Sequence, residues 1–146
     1  MIDPDVRSAD PADADQLRFL ESVARSALVD LRGGQRWLAT NPERGASWQA
    51  VIASSSVFVA HIGAVVVGYL VASQHGDVLK VEEVFVLDEA RELGFGDELL
   101  AAAIAEGRAN GVRLLEAEAL PGDRNTKNLY ERAGIKARLI TVSTEL

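Results

Sequence analysis

The chain has 146 residues, of which 48% are hydrophobic and 25% charged, and its formal net charge is −7 at pH 7. A chain of this size and composition is expected to be one globular domain, 1–146, whose hydrophobic core is large enough to be stable without disulfides or a structural metal. It contains no cysteine, which excludes disulfides, thiolate zinc sites and a cysteine nucleophile and favours a cytoplasmic location. The negative charge argues against nucleic acid as a partner. We also expect no signal peptide, no membrane span and no metal centre.

The first half of the chain is predicted to contain a strand, two helices and a hairpin. Asp10 followed by Pro11 is typical of a helix start, and apolar residues then recur at helical spacing as far as Leu28. The pair Gly33-Gly34 is expected to end this helix. The predicted elements are, in order, a strand at 5–9, the helix after Asp10, a connection that contains Trp37 and Asn41-Pro42, a helix at 47–53, and strands at 57–60 and 64–72.

The second half is predicted to alternate strands with helices. The predicted elements are a strand at 78–87, a helix that ends near Asn110, a strand at 113–120, a helix capped by Asp123 or Asn125 and closed by Gly134, and a last strand at 137–143. Only 12 residues follow Gly134 (146 − 134). The last strand should therefore pair directly beside 113–120, or a second copy should complete the sheet edge. Because an open edge invites pairing, we expect a homodimer.

Residues 84–100 read VFVLDEARELGFGDELL. An apolar strand leads to Arg91, and Gly94 and Gly96 follow where an amphipathic helix begins. Glycine permits close backbone approach, and the unpaired amides at a helix start attract anions. The third glycine of the dinucleotide fingerprint is missing, since Leu99 takes its place, and so is the Gly-Lys-Ser/Thr of the P-loop. The run is therefore read as a phosphate-binding loop, with a plain strand-to-helix turn as the alternative.

Residues 121–135 read PGDRNTKNLYERAGI and place Tyr130 on a short helix. R-x-x-G-x-G after a strand, followed by L-Y-E-x-x-G-I, resembles the GNAT N-acetyltransferase superfamily, where Phe is usual at the position of Ile135. The resemblance covers nearly the entire chain. It implies an α/β (α+β) GNAT fold, with a mixed central sheet of six or so strands, about four flanking helices, and a splay between the fourth and fifth strands. It also implies acetyl-CoA as co-substrate and direct acetyl transfer to a primary amine.

The resemblance assigns roles to particular residues. Tyr130 would protonate the departing thiolate, although it could also be an ordinary core aromatic. Glu82 is favoured as the base that deprotonates the amine, Glu83 is the runner-up, and two solvated carboxylates are the alternative. The cofactor-binding residues would be Val84, Phe85 and Val86 through their backbone, the loop Arg91, Glu92, Leu93, Gly94, Phe95, Gly96 and Asp97, and also Asn125 and Lys127.

The position of the two glutamates depends on the regularity of their strand. Strict alternation places Glu82 on the side of Val84 and Val86, and Glu83 on the side of Phe85. A bulge, which is common in this strand of the family, would shift that parity. The acceptor pocket is expected between the N-terminal helices and residues 74–77. Acidic residues near it indicate a cationic small molecule, an amino acid or a peptide N-terminus.

Some residues depart from the family pattern. Glu92 and Asp97 stand where basic or neutral residues are common, and acids repel a pyrophosphate. Asp123 stands where the family often has asparagine, and Asn125 is expected to take over its contact. A catalytically silent acyl-CoA-binding sensor is therefore the alternative to an enzyme. An unrelated α/β ligand-binding domain is the third possibility.

Overall fold

The structure is a computed structural model that describes residues 5–146. A single sheet of five strands lies at its centre, in the order β1-β2-β3-β4-β5. The strands are β1 (Asp5–Ser8), β2 (Ser56–Ile62), β3 (Val65–His75), β4 (Val78–Val86) and β5 (Leu114–Ala117). The helices are α1 (Ala14–Leu28), α2 (Gly34–Thr40), α3 (Trp48–Ser54), α4 (Phe95–Ala109) and α5 (Arg124–Arg132), with short 3-10 turns at Pro11–Asp13, Gly45–Ser47 and Asp88–Ala90.

The sheet is mixed, and it opens between its last two strands. The strands β1 to β4 are antiparallel neighbours, whereas β5 is parallel to β4. Pairing of β4 with β5 ends at Val81 and Ala117, although β4 continues to Val86. Beyond Val81 the edge of β4 is therefore open. The predicted fold class and the splay between the fourth and fifth strands are confirmed, with five strands instead of six or so.

Helices cover both faces of the sheet and bury two apolar clusters. Side chains alternate along β2, so Val57 and Val59 face α1 and α3, while Phe58 and Ala60 face α4. Such alternation lets one strand contribute to two cores at once. The first cluster contains Leu17, Leu20, Trp48 and Tyr69, among others, and the second contains Phe95, Leu99, Leu129 and Tyr130 with residues of β2 to β4.

The helix predicted after Asp10 is confirmed, including its start. The Asp10 carboxylate accepts a hydrogen bond from the Ala12 amide at 2.9 Å, and Pro11 occupies the first position of the turn. The Asp13 carboxylate accepts a hydrogen bond from the Asp10 amide at 2.7 Å. It also accepts two from the Arg7 guanidinium, at 2.7 and 2.9 Å. This capping box ties β1 to the beginning of α1.

The segment with Trp37 is a helix, so the connection predicted there is wrong. Gly33 adopts a left-handed φ of 85°, and α2 begins at the next residue. A Cβ on Gly34 would lie 1.8 Å from the carbonyl oxygen of Leu28. The paired glycines therefore turn the chain sharply and let α2 begin directly against the end of α1, instead of opening a long loop.

The last strand, predicted at 137–143, is not formed. Residues 136–146 have no helix or strand and make no backbone–backbone hydrogen bonds to residues 5–146. Leu139, Ile140 and Val142 are 89%, 78% and 87% exposed. A strand-forming sequence needs a hydrogen-bonded neighbour, and this tail does not reach the edge of β5. The expected direct pairing beside 113–120 is therefore wrong for the single chain.

Candidate active site

A β-bulge in β4 sets the directions of the two predicted base candidates. Val71 of β3 is opposite Glu83, and the next residue, Ala72, is opposite Val81, so Glu82 is the extra residue. Val81 consequently shares the α4-facing side of the sheet with Val84 and Val86. The strict alternation that places Glu82 with Val84 and Val86 is wrong, because the bulge shifts the parity.

The two carboxylates end in different surroundings. Glu82 is exposed, accepts a hydrogen bond from the Ser73 hydroxyl at 2.9 Å, and borders a cleft. The Glu83 side chain is only 10% exposed, and the Arg44 Nη1 donates to it at 2.6 Å. Burial raises the pKa of Glu83, although the Arg44 charge opposes this shift.

The buried anchor of this arrangement is Glu21 on α1, whose side chain is 1% exposed. One of its oxygens accepts from the Arg44 amide and from Arg44 Nη1, each at 3.0 Å. The other accepts from the Gly45 amide at 3.0 Å and from Trp48 Nε1 at 3.2 Å. Four donors satisfy the carboxylate, so Glu21 fixes the segment that presents Arg44.

Tyr69 of β3 completes the buried polar group. Its hydroxyl is fully buried and has no partner in hydrogen-bond geometry among residues 5–146. Burial, and next the negative charge of Glu83, raise the pKa of Tyr69, while Arg44 opposes this shift. Its ring packs edge-on against Trp48, with centroids 5.4 Å apart. Tyr69 is therefore a neutral hydroxyl held beside the Glu83 carboxylate.

A cleft of about 260 Å³ opens where α2 and the following segment meet β4. The N-terminal helices contribute to it as expected, whereas residues 74–77 do not line it. Lys80 and Glu118 form an ion pair of 3.3 Å at its border, and the Arg25 guanidinium donates to the Leu38 and Asn41 carbonyls. Its lining residues are Arg25, Trp37, Asn41, Pro42, Arg44, Lys80, Val81, Glu82 and Glu118.

The open edge of β4 presents backbone groups. The Leu87 amide donates to the Val67 carbonyl at 2.9 Å, so it points toward β3. Because the groups of successive residues alternate in direction, the Phe85 amide also points toward β3, and those of Val84 and Val86 point to the open edge. Arg91 Nε donates to the Val86 carbonyl at 3.2 Å on this edge. Two of the three predicted strand positions thus have amides available for a ligand.

The glycine loop forms a concave row of unpaired amides. Glu92 and Gly94 have positive φ values of 65° and 87°, which turn the chain into the start of α4. Within residues 5–146, no amide from Glu92 to Asp97 has a hydrogen-bond acceptor, and that of Glu98 is the first to be bonded. Consecutive amides at a helix start attract anions. The loop therefore presents main-chain donors that are free to bind an anion.

The charges around this loop are largely compensated. Asp97 pairs with Arg132 of α5 at 3.1 Å, and Arg91 pairs with Asp88 at 2.6 Å. Asp97 therefore opposes an anion less than its charge alone suggests. The side chain of Arg91 is turned back toward β4 and Asp88. Asn125 and Lys127 are exposed on α5, as is Glu92 in the loop.

Tyr130 lies against the beginning of α4. The Asp123 carboxylate caps α5 by accepting from the Thr126 amide at 3.2 Å, and Gly134 follows the helix with a φ of 78°. Tyr130 and Leu129 pack in one cluster with Phe95 and Leu99. Burial raises the pKa of Tyr130, and the charges of Asp123 and Glu118 add to this shift. Its hydroxyl therefore stays protonated and is a hydrogen-bond donor throughout the neutral range.

The predicted residues are divided between the two faces of the sheet: Tyr130 packs in the cluster that faces α4, whereas Glu83 lies on the opposite face with Tyr69. Sequence reasoning missed some residues of this region. Arg44, Glu21 and Tyr69 were not predicted. Glu21 could have been found, because it follows Leu17 by four residues and so lies on the apolar stripe of α1. Arg44 has no such sequence signal, since only the fold brings it to Glu83.

Two classes of feature are missing from the described part of the chain. No group of three histidine, cysteine, aspartate or glutamate side chains in it is arranged to hold a metal ion. None of its helices is long and apolar enough to cross a lipid bilayer.

Most of the chain matches a known protein family. Residues 20–135 match the family model described as the acetyltransferase (GNAT) family. No curated protein sequence matches the chain.

Solved structures share the fold at low sequence identity. The structure of AAC(6')-Iy with the bisubstrate analogue CoA-S-monomethyl-acetylneamine is 19% identical with a TM-score of 0.72, covering 99% of this chain and 100% of that chain. The tetramutant of BH1408 from Bacillus halodurans is 18% identical with a TM-score of 0.78, covering 100% of both chains. The ribosomal-protein-alanine N-acetyltransferase of Brucella melitensis biovar Abortus 2308 is 13% identical with a TM-score of 0.71, covering 98% of this chain and 99% of that chain.

Proposed function

Because the chain belongs to the acetyltransferase (GNAT) family, we propose that it moves an acetyl group from acetyl-CoA directly to a primary amine. The acceptor would be a small molecule, an amino acid or a peptide. One observation supports this most strongly: a row of unpaired amides, the open edge of β4 and a carboxylate pair occur together at the sheet opening. The row of amides would bind phosphate, the open edge would supply main-chain hydrogen-bond donors, and the carboxylate pair would supply a base.

Binding of the cofactor follows from the main chain. The amides of Glu92 to Asp97 would hold the pyrophosphate, and the open edge at Val84 and Val86 would bind the pantetheine arm as an added strand does. One of these strand amides would stabilise the negative charge that develops on the thioester oxygen. Asn125 and Lys127 are exposed on α5 and would contact the outer part of the cofactor.

The chemical step needs a proton acceptor and a proton donor. A carboxylate of the pair takes a proton from the substrate ammonium, either directly or through a water, and the free amine attacks the thioester carbonyl. The C–N bond forms, the C–S bond breaks, and the departing thiolate takes a proton from Tyr130. The second proton, which the nitrogen loses as it becomes an amide, restores the Tyr130 hydroxyl. Glu82 faces the cleft and meets a substrate first, whereas Glu83 lies behind it with a raised pKa. A base whose pKa lies nearer to neutrality is the better catalyst.

The experiment is thiol release from acetyl-CoA, measured across a panel of amines that includes aminoglycosides, polyamines, amino acids and peptides. Acetylation of at least one amine, confirmed by mass spectrometry, is the expected result. The alternative is a catalytically silent acyl-CoA sensor, which the exposed acid Glu92 in the loop favours. Thermal stabilisation by acetyl-CoA without acetylation of any amine would support the sensor. Absence of stabilisation would remove both proposals.

We also propose that the protein is a cytoplasmic homodimer whose C-terminal tail reaches a second copy. Within residues 5–146 no strand lies beside the outer edge of β5, and Leu114 is 51% exposed there. The tail has exposed apolar residues and no backbone partner of its own. Light scattering of the full chain and of a chain that ends at Ile135 tests this. A full chain that is monomeric at micromolar concentration would contradict it.

A further inference from the structure

One guanidinium serves two buried carboxylates beside the cleft. The side chains of Glu21, Arg44 and Glu83 are 1%, 17% and 10% exposed, and Arg44 Nη1 bonds to both acids. If both acids are ionised, this Glu21–Arg44–Glu83 cluster has two negative charges and one positive charge. A net charge in a poorly solvated place is costly, and a proton or a cation relieves it. The cluster therefore attracts an ammonium group or a proton.

The guanidinium is fixed on several sides. Glu21 accepts from the Arg44 amide as well as from its side chain, so one carboxylate holds both ends of the residue. The Arg44 guanidinium also lies over the Trp48 ring, 5.1 Å from its centre, and Trp48 donates to the same Glu21. Glu83 thus meets a donor whose position α1 and α3 determine. The contact of 2.6 Å is short for a charge-assisted bond.

Among the described residues, no arginine or buried carboxylate fixes the Glu82 side chain in the way that Arg44 fixes Glu83. Glu82 is the exposed residue of the bulge, and its recorded partner is the Ser73 hydroxyl. An isolated, exposed carboxylate keeps its rotamer freedom. The bulge therefore separates a flexible acid at the surface of the cleft from a fixed acid behind it.

We propose that Arg44 is a positioning residue for catalysis: it holds the Glu83 carboxylate in place as the base that deprotonates the acceptor amine, and Glu21 anchors Arg44. This inference rests on the proposed acetyl transfer and assigns the base to Glu83 rather than Glu82. The step moves one proton from the substrate ammonium to Glu83, after which the neutral amine attacks the thioester. Arg44 also lines the cleft, but in this scheme it neither accepts nor donates a proton.

The charges around Glu83 determine the signs of the expected effects. Glu21 on α1 disfavours ionisation of Glu83, whereas Arg44 favours it, and Tyr69 of β3 lies beside it as a neutral hydroxyl. The cleft side adds Glu82 and Lys80 of β4, with Arg25 and Glu118 across the opening. Glu21→Gln removes one negative charge and keeps the shape of the side chain. Arg44→Lys keeps the positive charge, but it removes the planar guanidinium that lies over the Trp48 ring.

The experiment measures ionisation of Glu83 and catalysis in the same proteins. Carboxyl ¹³C resonances of labelled glutamate give the pKa of Glu83, which is identified by its disappearance in Glu83→Gln. We expect the pKa of Glu83 to fall by about one unit in Glu21→Gln and to rise by about one unit in Arg44→Lys. The acidic limb of the kcat/KM profile should shift in the same directions. In Arg44→Lys we expect kcat to fall about tenfold or more, with an unchanged KM for acetyl-CoA.

The matched control is Arg7→Lys, which alters another arginine–carboxylate pair, with bonds of 2.7 and 2.9 Å to Asp13, away from the cleft. It should change neither the pKa of Glu83 nor the acidic limb. An unchanged Glu83 titration in the Glu21 and Arg44 variants would overturn the inference. The inference would also be overturned if the acidic limb of the kcat/KM profile stayed unchanged in the Glu21 and Arg44 variants and disappeared in Glu82→Gln. A wild-type protein that acetylates no amine would instead refute the proposed function, whatever the carboxyl titrations show.

Discussion

The ion pair between Asp97 and Arg132 provides a test of where the cofactor phosphates bind. Arg132 Nε lies 3.1 Å from the Asp97 carboxylate, and the two side chains are 57% and 51% exposed. Asp97 is also the last residue of the row of unpaired amides. If the pyrophosphate of CoA binds there, Arg132 compensates a charge that would otherwise repel it. We therefore expect Arg132→Gln to weaken CoA binding and Asp97→Asn to strengthen it.

The size of the effect follows from the exposure of the pair. Two unit charges about 4 Å apart interact by about 1 kcal/mol in water, which is about a fivefold change in Kd. The value for water is appropriate, since both side chains are about half exposed. We expect Kd for CoA to rise about three- to fivefold in Arg132→Gln and to fall by a similar factor in Asp97→Asn. The double variant should bind within about twofold of the wild type.

Calorimetric titration with CoA at about 0.02 M and about 0.3 M salt measures these changes, and the higher salt should reduce them. Arg108→Gln is the matched control, because Arg108 lies in the last turn of the same helix. It changes the net charge equally, but about 16 Å along the helix from Asp97, where a unit charge acts about four times more weakly than at about 4 Å even before screening by salt. If neither the Asp97 variant nor the Arg132 variant changes Kd at low salt, the phosphates bind elsewhere.

Three further predictions concern stability and catalysis. Gly34→Ala should lower the free energy of unfolding by about 1–3 kcal/mol in urea titrations, because the new methyl would meet the Leu28 carbonyl at 1.8 Å; wild-type stability would show that α1 and α2 separate freely. Burial raises the pKa of Glu83 above its ordinary 4.5, so the folded state holds this proton more tightly and Glu83 stabilises the fold less as pH rises through that window. Glu83→Gln should therefore gain stability relative to wild type as the pH rises above 4.5, and a constant difference in urea titrations would contradict this. Tyr130→Phe should lower kcat about 100-fold with acetyl-CoA affinity unchanged, and an unchanged kcat would remove Tyr130 from the acid role.

Much of the fold could be predicted because its signals are local. The Asp10-Pro11 start of α1, the hairpin of β2 and β3, and the cap of α5 at Asp123 depend on residues within one turn of each other. The glycine loop is likewise a local strand-to-helix pattern. For this reason most of the elements could be predicted in their order, and the strand-to-helix turn at the glycines could be predicted as well.

The errors lie where a distant contact decides the structure. Gly33-Gly34 is a plausible helix stop, but the close approach of Gly34 to Leu28 makes it a turn between two helices. Residues 137–143 have the composition of a strand, yet they make no backbone hydrogen bond to a strand edge in the described part of the chain. The bulge at Glu82 depends on how β3 and β4 are aligned, which the residues of β4 alone do not determine.

That bulge also explains why two adjacent glutamates need not do the same work. In a regular strand they would face opposite sides of the sheet, and only one would reach the cleft. Here Glu82 lies at the cleft with Ser73, and Glu83 lies just behind it against Arg44. Burial raises the pKa of Glu83. When neighbouring acids are placed in different environments, their roles as acid or base separate. An exposed carboxylate attracts the ammonium, and a buried one, held by a fixed cation, is suited to take its proton.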